Sequence, residues 1–241
     1  MKRHKFTLSV LLAVVVALGL GVPTLAKPQA PAPPGEFEIA RFYIEYNQSA
    51  NDLGFHVTLD GEDWTSLRIY DPTGKMIFDV SAKGGYKNLG LTELFFEGAE
   101  PNLDEFPLDE LLALFPEGEY TFIGKTTDNK QLVSTATLSH DVPNGPDIST
   151  APSLACPDTI AVSWAPVTGP APILPDGTIN VVAYQVIVGP LLVTVPASVN
   201  SLTIPPEYYQ TLASNTTHPY EVLAIDANGN QTITEGTFFK P

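Results

Sequence analysis

The sequence predicts an all-β protein, two consecutive β-sandwich domains with one short helix in the first. Three observations carry this. Large and polar residues alternate with period two in one segment after another, the pattern of half-buried strands. The 23 prolines and 18 glycines among 241 residues interrupt the chain often, as many short strands joined by turns require. With 44% hydrophobic and 16% charged residues the composition is that of a folded chain, and the length suffices for two ordinary domains.

Residues 1–26 read as a secretory signal. Lys2, Arg3, His4 and Lys5 precede an apolar run from Phe6 to Val22, and small residues ending at Ala26 mark the cut. An uncleaved anchor is the alternative, since the run approaches membrane-spanning length. Gly19, Gly21 and Pro23 weaken its helical end, so the mature chain is expected to be exported, with no membrane span. Residues 27–35 form a proline-rich tail of extended, semi-rigid character.

The first sandwich is expected over residues 36–143. Ala40, Phe42, Ile44 and Tyr46 share one face of a strand, and Leu53, Phe55, Val57 and Leu59 share one face of the next. Leu67 and Ile69 lead into Asp71-Pro72-Thr73-Gly74, which suits a type I turn, and Met76, Phe78 and Val80 return. Tyr120 and Phe122, then Leu132, Ala136 and Leu138, make a further hairpin around Asp128-Asn129-Lys130. Between these lies the helix. Leu108, Leu111, Leu112 and Phe115 stand at i, i+3, i+4 and i+7, with Pro107 at the start and Pro116 at the stop. The Tyr70–Lys75 turn and the Pro116–Tyr120 lead-in resemble features of bacterial immunoglobulin-like sandwich domains.

Residues 144–149 have the Pro, Gly and Asn content of a linker. Beyond it, Thr159–Trp164, then Val182, Tyr184, Val186 and Val188, then Leu202 and Ile204, supply alternating strands. Tyr220, Val222 and Ala224 run into Asn228-Gly229, a dipeptide that tolerates the positive φ of a tight hairpin. Trp164, Tyr184, Leu212 and Tyr220 occur in an order that resembles a fibronectin type III domain over residues 150–241, with Ile173–Thr178 lengthening the loop before the third strand. The resemblance implies a sandwich with a core tryptophan and a tyrosine corner at Tyr220. It implies no activity, because those are fold residues.

Charge narrows the partners. The net charge is −15, and loss of Lys2, Arg3 and Lys5 with the signal moves it to −18. No basic cluster remains for phosphates, so nucleic acid and anionic membranes are poor partners, while cationic groups and divalent ions fit. One cysteine, Cys156, excludes an internal disulfide; burial is expected, cross-linking of two chains being the alternative.

No pattern demands catalysis. A Gly-x-Ser-x-Gly elbow is missing, His56, His140 and His218 lie in no metal-binding spacing and read as solvated, and Asp226–Asn230 lacks the later ligands of a calcium loop. Glu93 and Glu97 could serve as a glycosidase pair, but solvated acids are the simpler reading. Sequons stand at Asn47, Asn215 and Asn230. The expectation is therefore an exported, periplasmic or extracellular, non-catalytic binding, adhesion or spacer module without cofactor or metal, meeting a protein or glycan partner. A carbohydrate-binding or carbohydrate-active accessory protein is the alternative. The candidate partner surface is Glu93, Glu97, Glu100, Asp104, Glu105, Asp109 and Glu110. It falls in a segment that either binds a cationic partner or keeps the outside of a hydrophobic plug soluble.

Overall fold

The structure is a computed structural model that describes residues 33–148, 153–155 and 159–241. The signal, the proline-rich tail up to residue 32 and Cys156 lie outside the described residues. Residues 34–241 form one unit, all-β apart from three short helices. No described helix is long and apolar enough to cross a membrane.

The elements run β1 (Ile39–Asn47), β2 (Asp52–Tyr70), β3 (Met76–Ser81), α1 (Gly84–Leu89), β4 (Leu91–Glu97), α2 (Leu108–Leu114), β5 (Gly118–Thr126) and β6 (Gln131–Leu138). They continue as β7 (Ser153–Ala155), β8 (Thr159–Ser163), β9 (Val181–Val188), β10 (Leu191–Pro196), β11 (Ser201–Thr203), α3 (Pro206–Thr211), β12 (Thr216–Asp226) and β13 (Gln231–Lys240). The alternation seen in sequence becomes burial. Phe42, Ile44 and Tyr46 of β1 and Leu53, Phe55, Val57 and Leu59 of β2 point into a first core, closed by Trp64, Leu67, Ile69, Tyr120 and Phe122. A second core gathers Val162 and Trp164 of β8, Tyr184, Val186 and Val188 of β9, and Tyr220, Val222 and Ala224 of β12.

Where two strands were expected between Asp52 and Tyr70, one 19-residue strand runs through. Its first half pairs with β1 and β4, its second with β3 and β5, and register shifts between Asp60 and Trp64 and between Trp64 and Ser66 let it turn from one set to the other. The predicted turns form as expected: Asp71 accepts backbone N–H bonds from Thr73 and Lys75, Asn129 takes φ 64°, and Gly229 takes φ 95°. The hydroxyl-to-backbone closure expected at Tyr220 is found instead at Tyr120, which donates to the Pro116 carbonyl at 2.9 Å.

The two cores share one sheet. Its order is β10-β9-β12-β13-β1-β2-β5-β6, and β1 pairs parallel with β13, Glu45 opposite Gln231 and Asn47 opposite Ile233. A second sheet, β11-β8-β7, covers the second core. The stretch around 144 is packed, not free. Val142 is fully buried, Asn144 N–H bonds to Gly169 O, and Gly145 N–H bonds to the Gln48 side chain. Ala171 and Leu174, from the lengthened loop, complete the first core.

Candidate functional site

The inner faces of β1 and β2 are spent on the core, so their outer faces carry what is left for chemistry. Period two places Tyr43 and Glu45 of β1, and Gly54 and His56 of β2, on that outer face. Register sets the rows. Tyr43 stands opposite His56, which stands opposite Glu97 of β4; Glu45 stands opposite Gly54.

After β4 the chain turns back, with Gly98 N–H bonded to Phe55 O, and lays Glu100 across Gly54. A Cβ at residue 54 would lie 2.7 Å from Glu100 Cγ, so the absent side chain makes the room that Glu100 occupies. The result is a cluster of Glu45, His56 and Glu100 whose ligand atoms all lie within 4.8 Å of one another. Glu97 Oε1 is 3.9 Å from His56 Nε2, and so is Glu45 Oε1. Gln231 of β13 donates to Glu45.

His56 corrects the expectation of a solvated imidazole. It is 4% exposed, stacked on Tyr43 at 5.0 Å and flanked by Phe95 at 5.8 Å. Neither ring nitrogen has a hydrogen-bond partner. His140 and His218, by contrast, meet the Phe115 and Ala213 carbonyls at 2.9 and 2.8 Å. Burial pushes the His56 pKa down, only partly opposed by Glu97, and so favours the neutral ring. The carboxyls shift the other way. Glu100 is pushed up to about 7, by burial first and then by a hydrogen bond and repulsion from Glu97; Glu45 and Asp52 also rise, chiefly through burial.

Of the seven acids singled out from sequence, only Glu97 and Glu100 reach this cluster. Glu93 faces Asp60 at the far end of β4, and Asp104 accepts from Asn51. Asp109 and Glu110 occupy the first turn of α2, where negative charge suits the helix dipole. Glu105 sits in the turn before α2. Glu45, Asp52 and His56 went unrecognised because cross-strand register, not local spacing, brings them to the acids. The available signal was a histidine and a glycine two apart on the outer face of a strand whose other face is apolar.

On the opposite side of the same segment lies an apolar cleft of about 460 Å³. Phe42, Phe55, Phe78, Phe96, Phe106 and Phe115 wall it, Leu111 and Leu114 bring in α2, and every lining residue is apolar. Residues 96–101 therefore divide their side chains: Phe96, Ala99 and Pro101 face the cleft, while Glu97 and Glu100 join the His56 cluster.

No protein-family model matches the chain, and no curated protein matches it in sequence. Among solved structures, it is similar to a tetra-tandem repeat in the extending region of a large adhesion protein (11% identity, 84% of this chain and 50% of that one, TM-score 0.26). It is similar also to the BSP domain of a biofilm-associated protein (15% identity, 86% and 29%, TM-score 0.26) and to a bacterial ice-binding adhesin (13% identity, 83% and 63%, TM-score 0.26). The chain spans between 29% and 63% of the length of these structures. Superpositions this loose do not define a common fold.

Proposed function

We propose that the chain is an exported, non-catalytic binding module of the cell envelope, and that its ligand seat is the cleft beneath α2. The cleft carries the reading. A pocket of 460 Å³ walled only by apolar and aromatic residues has the volume and lining of a small-ligand or side-chain seat, and no charged group in it to perform chemistry. Other observations support the absence of catalysis. None of the three described histidines meets a serine hydroxyl. Glu93 and Glu97, four residues apart on one strand face, are separated by about 13 Å at the strand rise, wider than the roughly 5–9.5 Å of a glycosidase pair.

In this reading residues 150–241 are a fibronectin type III-like unit and residues 36–143 an immunoglobulin-like one. The seven strands β7 to β13, split three and four between two sheets around Trp164 and Tyr184 at 5.4 Å, support the former. A glycan partner is the second reading, favoured by Phe95, 57% exposed beside His56 and Tyr43 on the outer face.

Titration with the uncharged fluorophore N-phenyl-1-naphthylamine tests the cleft. One saturable equivalent is expected for the parent and none for Ala99→Trp, which fills the seat, with both proteins equally folded by circular dichroism. Equal uptake by both sinks the seat. Polysaccharide screening supplies the other arm: retention that fails in Phe95→Ala favours the glycan reading, and reproducible hydrolysis overturns a non-catalytic module.

A further inference from the structure

We infer that Glu45, His56 and Glu100, with Glu97 as a fourth donor, form a binding site for a divalent transition cation of the Zn²⁺ class. The inference stands apart from the cleft and on four observations.

The first is an orphaned imidazole. A buried polar atom without a partner is costly, and native structures leave few of them. Among the described residues the orphans are the two ring nitrogens of His56, the indole N–H groups of Trp64 and Trp164, and Thr234 Oγ1. An indole N–H has no lone pair to give. A neutral imidazole has one, and His56 Nε2 faces two carboxylates.

The second is separation. At 3.9 Å, Nε2 is too far from Glu45 Oε1 and Glu97 Oε1 for a hydrogen bond. Two donors each about 2.0–2.2 Å from one Zn²⁺ stand roughly 3.3–4 Å apart, depending on the angle between them. For these two pairs the spacing is therefore too long for direct contact and within what an intervening ion spans, while the 4.8 Å cluster that includes Glu100 must close slightly on binding.

The third is placement. The ligands come from three separate pieces of chain, β1, β2 and the exposed turn after β4, and each has a neighbour that positions it. Tyr43 stacks on His56, Gln231 donates to Glu45, and Gly54 leaves the cradle in which Glu100 lies. Such support of ligands by their neighbours is what fixes a metal centre.

The fourth is charge and ligand type. Glu45, Asp52, Glu97 and Glu100 converge with no lysine or arginine among them, so a dication removes repulsion that the bare cluster retains. Hard cations such as Ca²⁺ take oxygen ligands throughout, whereas one imidazole with carboxylates suits the borderline divalent ions.

The test is titration of the purified full chain, stripped with EDTA, with Zn²⁺ against a chromophoric chelator, with Ca²⁺ in a parallel arm. One tight equivalent of Zn²⁺ is expected, with Ca²⁺ unable to displace it. His56→Gln and Glu100→Gln should each weaken it by at least about tenfold, the loss seen even for groups that only support a ligand. Glu110→Gln, on α2, should change nothing. Should His56→Gln misfold, Glu100→Gln, in an exposed turn, still decides. Absence of a stoichiometric Zn²⁺ site, equal affinity in both cluster variants, or equal competition by Ca²⁺ each overturns the proposal. So does a His56 ring found by NMR to be protonated at pH 7 and unmoved by Zn²⁺, which makes the cluster an ion pair.

Discussion

Asn230 shows how one side chain ties distant segments together. It is 1% exposed, its carbonyl oxygen accepts from Ile44 N–H at 2.7 Å, and its amide donates to the carbonyls of Ser139 and Asp141 at 2.8 and 2.9 Å. Replacement by alanine removes this partner from three backbone groups, the buried Ile44 N–H and the half-buried carbonyls of Ser139 and Asp141, of which Asp141 keeps Asn228 Nδ2, at a cost of about 2–4 kcal/mol. Urea unfolding of Asn230→Ala should show that loss as a lower midpoint with little change in slope. A midpoint equal to the parent's means that other groups or water satisfy the three. The same burial removes Asn230 from use as a sequon in the folded chain, whereas Asn215 is exposed. The Asn228-Gly229 turn was legible, since only a few residues accept its φ. The role of the next residue was not, because its partners lie about ninety and nearly two hundred positions away.

Among the elements, α2 was legible to within a residue because its apolar stripe and flanking prolines are local signals. The long β2 was not. Asp60-Gly61-Glu62-Asp63 has turn composition, yet Trp64, fully buried, holds the strand in line, and the pairing shift there is a tertiary outcome. β4 alternates Leu94 and Phe96 with Glu93, Phe95 and Glu97, but its acidity masked the period. That strand and its turn create the acidic cluster around His56: Glu45 on β1, Asp52 on β2, and Glu100, with Glu97 on β4, Glu221 on β12 and Glu235 on β13 adding repulsion.

The sign follows from proton uptake. Glu100 has a folded pKa of about 7 against an ordinary 4.5, so the folded chain binds the extra proton between these values. The stability it contributes is present below about pH 4.5 and lost as pH rises through about 7. His56, shifted down, acts oppositely, so the parent's own profile mixes the two. Comparison with Glu100→Gln isolates the carboxyl. In EDTA, the variant's melting temperature relative to the parent should rise as pH goes from about 5 to 7.5. With saturating Zn²⁺ at pH 7.5 the order should reverse, since the parent binds the ion more tightly. A difference independent of both pH and metal means that Glu100 is simply solvated.

At the scale of the whole molecule, the sequence divides more readily than the structure does. Two sets of alternating strands around a stretch rich in proline and glycine predict two units joined by a tether. The buried side chains form two clusters, the first core and the second core, within one unit. What joins them is not a tether: β13 pairs with β1 in parallel, Thr232 donates to Pro143 O, and Asn144 bonds to Gly169 across the supposed linker. Parallel pairing between strands nearly two hundred residues apart leaves no local trace, so sequence periodicity could not reveal it. The consequence is mechanical. If these bonds are strong relative to either core, neither half can open without exposing the edge of the other, and unfolding should be a single transition. The chain provides its own reporters, for it has two tryptophans, Trp64 buried in the first core and Trp164 in the second. Trp64→Phe reports only the second core, and Trp164→Phe only the first. Each variant's fluorescence midpoint in urea should coincide with that variant's own circular-dichroism midpoint, because a cooperative unit gives the same transition by every probe. Asn230→Ala, placed at the seam, should lower the fluorescence and circular-dichroism midpoints together when added to either variant. Separate midpoints in the single-tryptophan proteins themselves would mean that β1 and β13 merely touch and that the two cores fold independently.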